Sequence, residues 1–179
     1  MSAVPSPSDS CPHCALLTDG SVHPATGLGF GGYLCGRSAD LSIASDSTAV
    51  CLRRFKATTA ARLELQTLIW ALREIPICAG ELVVYTDSQT IVGLPSRRGR
   101  LERAEYRSRR GTLLKQHDLY REFYDLCDTR PFTIKKIPGH QPTTAKTGLA
   151  SAFSLVDRAT RRALRQAIPT DTDTKNNGA

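Results

Sequence analysis

The chain has 179 residues, of which 40% are hydrophobic and 23% charged, enough for one domain with a substantial core. No apolar run approaches the roughly 18 residues a membrane span needs, and the first residues lack the charged and apolar regions of a secretory leader. The formal net charge is +7, and residues 97–110 alone hold seven Arg against two Glu, which points to a polyanionic partner, nucleic acid, over the alternative of a solvated helix face.

In chain order, residues 1–12 are polar and Pro/Ser-rich and are expected to form a disordered tail. One ordered domain is expected over 13–168, followed by a second disordered tail over 169–179. Six cysteines without a leader are expected to be free thiols in a reducing, cytoplasmic setting. Cys11-Pro12-His13-Cys14 supplies half the ligands of a structural zinc, but no second pair follows at finger-like spacing. A first strand is expected over 14–19, a second over Phe30–Cys35 among glycines, and a third over Ala49–Phe55; their close spacing predicts an antiparallel meander. Leu65, Leu68, Ile69 and Leu72 then recur at helical spacing in a helix over 58–74. A fourth strand follows over 82–87, then a short helix over Ser88–Leu94 stopped by Pro95. Helices over Leu101–Arg109 and 116–127, a fifth strand over Phe132–Ile137, a loop to Gly148 and a last helix over 151–167 complete the order. This succession predicts an α/β fold: a mixed five-stranded sheet, three strands in the meander plus two parallel ones, with helices packed on it. A monomer is expected, because no long apolar surface stripe is visible.

Four acids stand in informative places. Asp19 and Asp87 each follow a short apolar strand, in Thr18-Asp19-Gly20-Ser21 and Thr86-Asp87-Ser88-Gln89, and open sheets place their chemistry at such carboxyl ends. Asp157 interrupts the apolar stripe of Phe153, Val156, Thr160 and Leu164, where a bare carboxylate is costly unless it is paired or ligates a metal. Glu64 lies near the start of the helix over 58–74, between Leu63 and Leu65. Singly, each acid has an ordinary explanation: a turn, an N-cap, a helix-dipole contact or an Arg partner. Together they suggest carboxylates converging on hard cations, which prefer oxygen ligands and in pairs can clamp the attacking and leaving oxygens of a phosphodiester.

These residues carry a resemblance. Thr18-Asp19-Gly20-Ser21, Thr59-Ala60-Ala61-Arg62-Leu63-Glu64-Leu65, Tyr85-Thr86-Asp87-Ser88-Gln89, Pro138-Gly139-His140 and Val156-Asp157-Arg158-Ala159, in that order over about 14–167, resemble type 1 ribonuclease H. The resemblance implies a ribonuclease H-like fold and a two-metal endonuclease that cuts the RNA strand of an RNA/DNA hybrid. It implies Asp19, Glu64, Asp87 and Asp157 as ligands of two Mg2+ ions, with Mn2+ as a possible substitute. His140 would assist proton transfer or product departure. Gly20, Ser21 and Gln89 would meet 2′-hydroxyls of the RNA strand in the minor groove. Thr59 would meet a DNA phosphate, and Arg97, Arg98, Arg100, Arg103 and Arg107 would grip the backbone. Ala60 and Ala61 stand where the family often carries two Asn, and the interval from His140 to Asp157 is longer than usual. The alternatives are a DNA-directed nuclease of the same fold and a non-catalytic nucleic-acid-binding module.

Overall fold

Ala15, Leu16 and Leu17 are wholly buried, which a strand achieves only when both faces are covered, and the sheet is built outward from this strand. In the computed structural model, which describes residues 13–42, 47–77, 80–137 and 148–168, it is β1 (Cys14–His23). β1 pairs antiparallel with β2 (Leu28–Arg37), and β2 with the edge strand β3 (Cys51–Phe55). On its other side β1 pairs parallel with β4 (Leu82–Thr86), and β4 with β5 (Thr133–Lys136). The order β3-β2-β1-β4-β5 is the expected meander plus two parallel strands.

Alternation along β1 divides its side chains between two cores. Leu16 joins Leu65, Leu68, Ile69 and Leu72 of α2 (Ala60–Glu74), with Leu119 and Phe123 of α5 (His117–Thr129). Ala15 and Leu17 join Phe153 and Val156 of α6 (Leu149–Ala167), and Leu41 of α1 (Ser38–Ser42) packs there too. Gly31 and Gly32 set the closeness of both layers. A Cβ on Gly31 would lie 2.0 Å from Thr67 Oγ1 of α2, and one on Gly32 would lie 2.8 Å from Thr160 Cγ2 of α6. The buried Arg130 closes the end of α2 by donating to the carbonyls of Leu72, Ile75 and Pro76, which have no partner within the helix.

Several boundaries differ from the sequence reading. β1 runs four residues past Asp19, because β2 goes on pairing with it as far as His23↔Leu28. Pro95 does not stop a helix. After α3 (Gln89–Val92), it occupies the first turn of α4 (Leu94–Arg103), where its missing N–H is not needed. The Arg-rich helix therefore lies earlier than 101–109. It ends at a turn in which Glu105 and Tyr106 take positive φ, while the Tyr106 N–H donates to Leu101 O at 2.8 Å. The short α1 was not foreseen, since five residues carry too little periodicity. Cys35, Cys51 and Cys127 are free thiols, and no disulfide joins Cys14 to any of them. The expectations for residues 1–12 and 169–179, and for Cys11 and Cys78, fall outside the described residues. Among the described residues no helix is long and apolar enough to cross a membrane.

Candidate active site

The parallel ladder between β1 and β4 stops at Leu17↔Tyr85, whereas β1 and β2 stay paired. Asp19 on β1 and Asp87 just after β4 therefore flank the place where two parallel strands part, at their carboxyl ends. Asp19 sits opposite Gly32 across the β1–β2 ladder. The absent side chain at Gly32 is what lets α6 come close enough for the Thr160 hydroxyl to lie 3.3 Å from Asp19 Oδ2. That hydroxyl is also 3.0 Å from the Asp157 carbonyl, so its single proton can go to either.

The electrostatics link the acids. Burial pushes the Asp19 carboxyl up from 3.8 to about 7, and the charges of Asp87 and Asp157 push the same way, against hydrogen bonds from Gly20 and Thr160. Asp19 thus faces one acid from β4 and one from α6. Burial also raises Glu64, with Asp87 adding to the effect, while a hydrogen bond from Ser88 opposes it. The Ser88 hydroxyl donates to Glu64 Oε2 at 2.5 Å. Ser88, not Asp87, is the N-cap of α3: its Oγ accepts from Ile91 N–H at 3.4 Å, which leaves the Asp87 carboxylate out of the cap. The half-buried Asp157 is engaged by Arg161 Nε at 2.8 Å, one turn along α6.

The four predicted acids are thus coupled around one end of the sheet, yet each of the two helical ones has a resident partner. Among the described residues, no three His, Cys, Asp or Glu side chains stand close enough to hold one metal ion. His140 falls outside the described residues.

The remaining predicted residues lie as follows. Gly20 is backed by Leu63, 2.9 Å from where a Cβ would be, so packing of α2 is sufficient reason for its being glycine. Ser21 is half-buried on β1. Thr59 is exposed at the N-cap position of α2, and its side chain makes no cap bond; Thr58 turns to Gln66 Oε1 at 2.8 Å instead. Gln89 is exposed and its Oε1 accepts from Lys136 Nζ at 2.8 Å. In the Arg-rich stretch, Arg100 and Arg103 are exposed on α4. Arg97 lies 3.4 Å from the Thr90 carbonyl, and Arg107 donates to the Gly111 carbonyl at 2.9 Å. Arg98 is committed internally: it grips both oxygens of Asp128 and one of Glu102, and stacks over Tyr124.

Ser88, Thr160 and Arg161 touch the acids and were not singled out from sequence. Thr160 had a signal, a polar residue in the apolar stripe three positions after Asp157. Arg161 had one too, the i,i+4 spacing from Asp157, whereas Ser88 had none, because an N-cap serine looks the same whatever else it contacts.

A model of the family described as RNase H matches residues 12–165. A solved structure of the foamy viral protease–reverse transcriptase in complex with dsDNA matches with 14% identity and a TM-score of 0.59, covering 86% of this chain and 96% of that one. At that identity the likeness concerns the fold. No curated protein matches the chain. The match over residues 12–165, most of the chain, together with a sheet of the expected order, means that this chain belongs to the RNase H family of ribonuclease hydrolases.

Proposed function

We propose that the chain hydrolyses the RNA strand of RNA/DNA hybrids with two divalent cations, Mg2+ by preference and Mn2+ as a substitute. The observation that carries this reading is that Asp19 and Asp87 flank the point where β1 and β4 part, with Thr160 of α6 touching both Asp19 and the Asp157 carbonyl, so that the buried Asp19 carboxyl is pushed up by its acid neighbours. Buried carboxylates that repel one another are a standing demand for positive charge. The donors are all carboxylate oxygens, with no thiol or imidazole among them, which suits hard cations better than zinc. Asp19, Glu64, Asp87 and Asp157 would hold the ions, in competition with the Arg161 and Ser88 contacts. Bound metal supplies an activated water and neutralises charge on the leaving oxygen.

The chain's own groups do the rest. Gly20, Ser21 and Gln89 border Asp19 and Asp87, so main-chain and amide groups there can meet 2′-hydroxyls, the feature that separates RNA from DNA. The uncommitted Thr59 hydroxyl and the exposed Arg100 and Arg103 suit phosphates of the DNA strand. The foamy viral protein of like fold is itself recorded on dsDNA, which supports nucleic acid as the partner. His140 is assigned proton transfer or product departure. A gel with hybrid, duplex DNA, duplex RNA and single-stranded RNA, each with Mg2+ or EDTA, tests the reading. Metal-dependent cutting of RNA in the hybrid alone is expected, and Asp87→Asn should abolish it while hybrid binding persists. Cutting of DNA, or undiminished cutting by Asp87→Asn, would overturn it.

A further inference from the structure

Besides the Arg-rich segment over 97–110, the last helix carries a second exposed basic face. On α6, Phe153, Val156, Thr160 and Leu164 are buried, and Arg158, Arg161, Arg162 and Arg165 project from the opposite face. At 100° per residue these four fall within a single arc about 100° wide. Arg161 holds Asp157, whereas Arg158, Arg162 and Arg165 make no ion pair or side-chain hydrogen bond among the described residues. A helix face kept merely for solubility intersperses both signs. α5 carries the opposite charge, with Asp118, Glu122, Asp125 and Asp128 against the single Arg121. On α6 the only acid is Asp157, which belongs to the active site.

The stripe also has a direction. It starts beside Asp157, at the carboxylates, and from Arg158 to Arg165 it covers about 10 Å along the helix axis. Beyond the end of the helix, a depression of about 330 Å³ is lined by Ala167, Ile168, Thr26, Leu28, Arg54 and Lys56. The exposed Arg54 and Lys56 carry the positive charge on to the end of β3, and Leu28 and Ile168 offer apolar walls. One charge every 3.4 Å along a nucleic-acid strand matches this length to about three phosphates.

We infer that the Arg158–Arg162–Arg165 face of α6, continued by Arg54 and Lys56, is a second nucleic-acid track that holds the phosphate backbone flanking the cut site. The inference rests on the hybrid-nuclease reading for where the cut occurs, but the track binds phosphate whether or not cutting takes place.

The test measures binding in EDTA by fluorescence anisotropy, so that no cleavage is needed. The probes are a short hybrid that fills the site alone, the same hybrid with a single-stranded extension on either side, and the same hybrid with a duplex extension. The parent should bind one class of extended probe about tenfold or more tightly than the short one, and the class that gains identifies the flanking form. The Arg158→Gln/Arg162→Gln/Arg165→Gln variant should lose most of that advantage, and its salt slope on the extended probe should shrink by about two to three. The corresponding triple Lys variant should keep most of both. Thermal melting checks that each variant is folded; if the triple Gln form is not, single Arg162→Glu takes its place with the same expectation, smaller in size. An extended-probe advantage and salt slope unchanged in the Gln variant would overturn the track and leave the face to another partner, such as an acidic protein segment. So would an equal loss in the Lys variant, since charge would then not be the cause. A parent that favours extended probes in EDTA but cuts none of them when Mg2+ replaces the EDTA would sink the hybrid-nuclease reading and leave the track standing.

Discussion

Asp19→Asn should make the metal-free protein more stable at neutral pH and inactive. A carboxyl whose folded-state pKa is raised from 3.8 to about 7 binds its proton more tightly when folded than when unfolded. Stability therefore falls as pH climbs from about 4 to about 7, and above that window the ionised Asp19 destabilises the fold. Three pKa units correspond to about 4 kcal/mol as an upper bound. Allowing for relaxation around the charge, about 2 kcal/mol is the working figure, or about 4–8 °C in Tm for a domain of this size. Asparagine keeps an oxygen that can accept from Gly20 N–H and the Thr160 hydroxyl while removing the charge. Thermal melts of parent and variant in EDTA at about pH 8 and about pH 5 measure the effect. The variant's advantage should be largest at pH 8 and shrink by more than half at pH 5. Mg2+ at pH 8 should raise the Tm of the parent far more than that of the variant. A variant that melts below the parent at pH 8 in EDTA, or an advantage independent of pH, would refute the reasoning.

Three further expectations follow from single contacts. Ser88→Ala removes the donor that favours ionised Glu64, so the acid limb of the pH–rate profile should move to higher pH and activity at about pH 6 should fall about tenfold; a limb that stays put refutes it. Gly32→Ala sets a methyl 2.8 Å from Thr160 Cγ2 and should cost about 1–3 kcal/mol by denaturant unfolding, with a larger proportional loss of cleavage than of stability. Arg130→Met strips the donor from three carbonyls at the end of α2 and should cost about 2–4 kcal/mol, yet leave cleavage measured well below the new Tm close to that of the parent, since Arg130 touches none of the acids.

Much of the architecture was legible because the two periodicities are clean. Leu65, Leu68, Ile69 and Leu72 define the buried face of α2, and Ala15 to Leu17 mark a strand covered on both sides. Pro95 misled because proline breaks helix interiors but opens helix first turns, and nothing local says which will occur. Of the site, Asp19, Asp87 and Asp157 could be found as acids at a strand end or on a core-facing stripe. Glu64 needed the resemblance: on a helix expected to start at 58 the dipole offers a local reason for a glutamate, although α2 starts at Ala60 and leaves Glu64 past its first turn. The Arg98 contact with Asp128 could not be read, because a pairing across thirty residues depends on the tertiary fold, whereas that with Glu102 is a local i,i+4 pair.

The Gly32 gap ties two distant positions into one inheritance. A residue without a side chain on β2 and a threonine methyl on α6 share one volume, 128 positions apart in the chain and beside Asp19. A methyl gained at 32 is therefore expected to be tolerated only with one lost at 160. The double substitution Gly32→Ala/Thr160→Ser keeps the hydroxyl for Asp19 and should recover much of what Gly32→Ala loses, so that a non-additive double-mutant cycle becomes the signature of how the helix is docked.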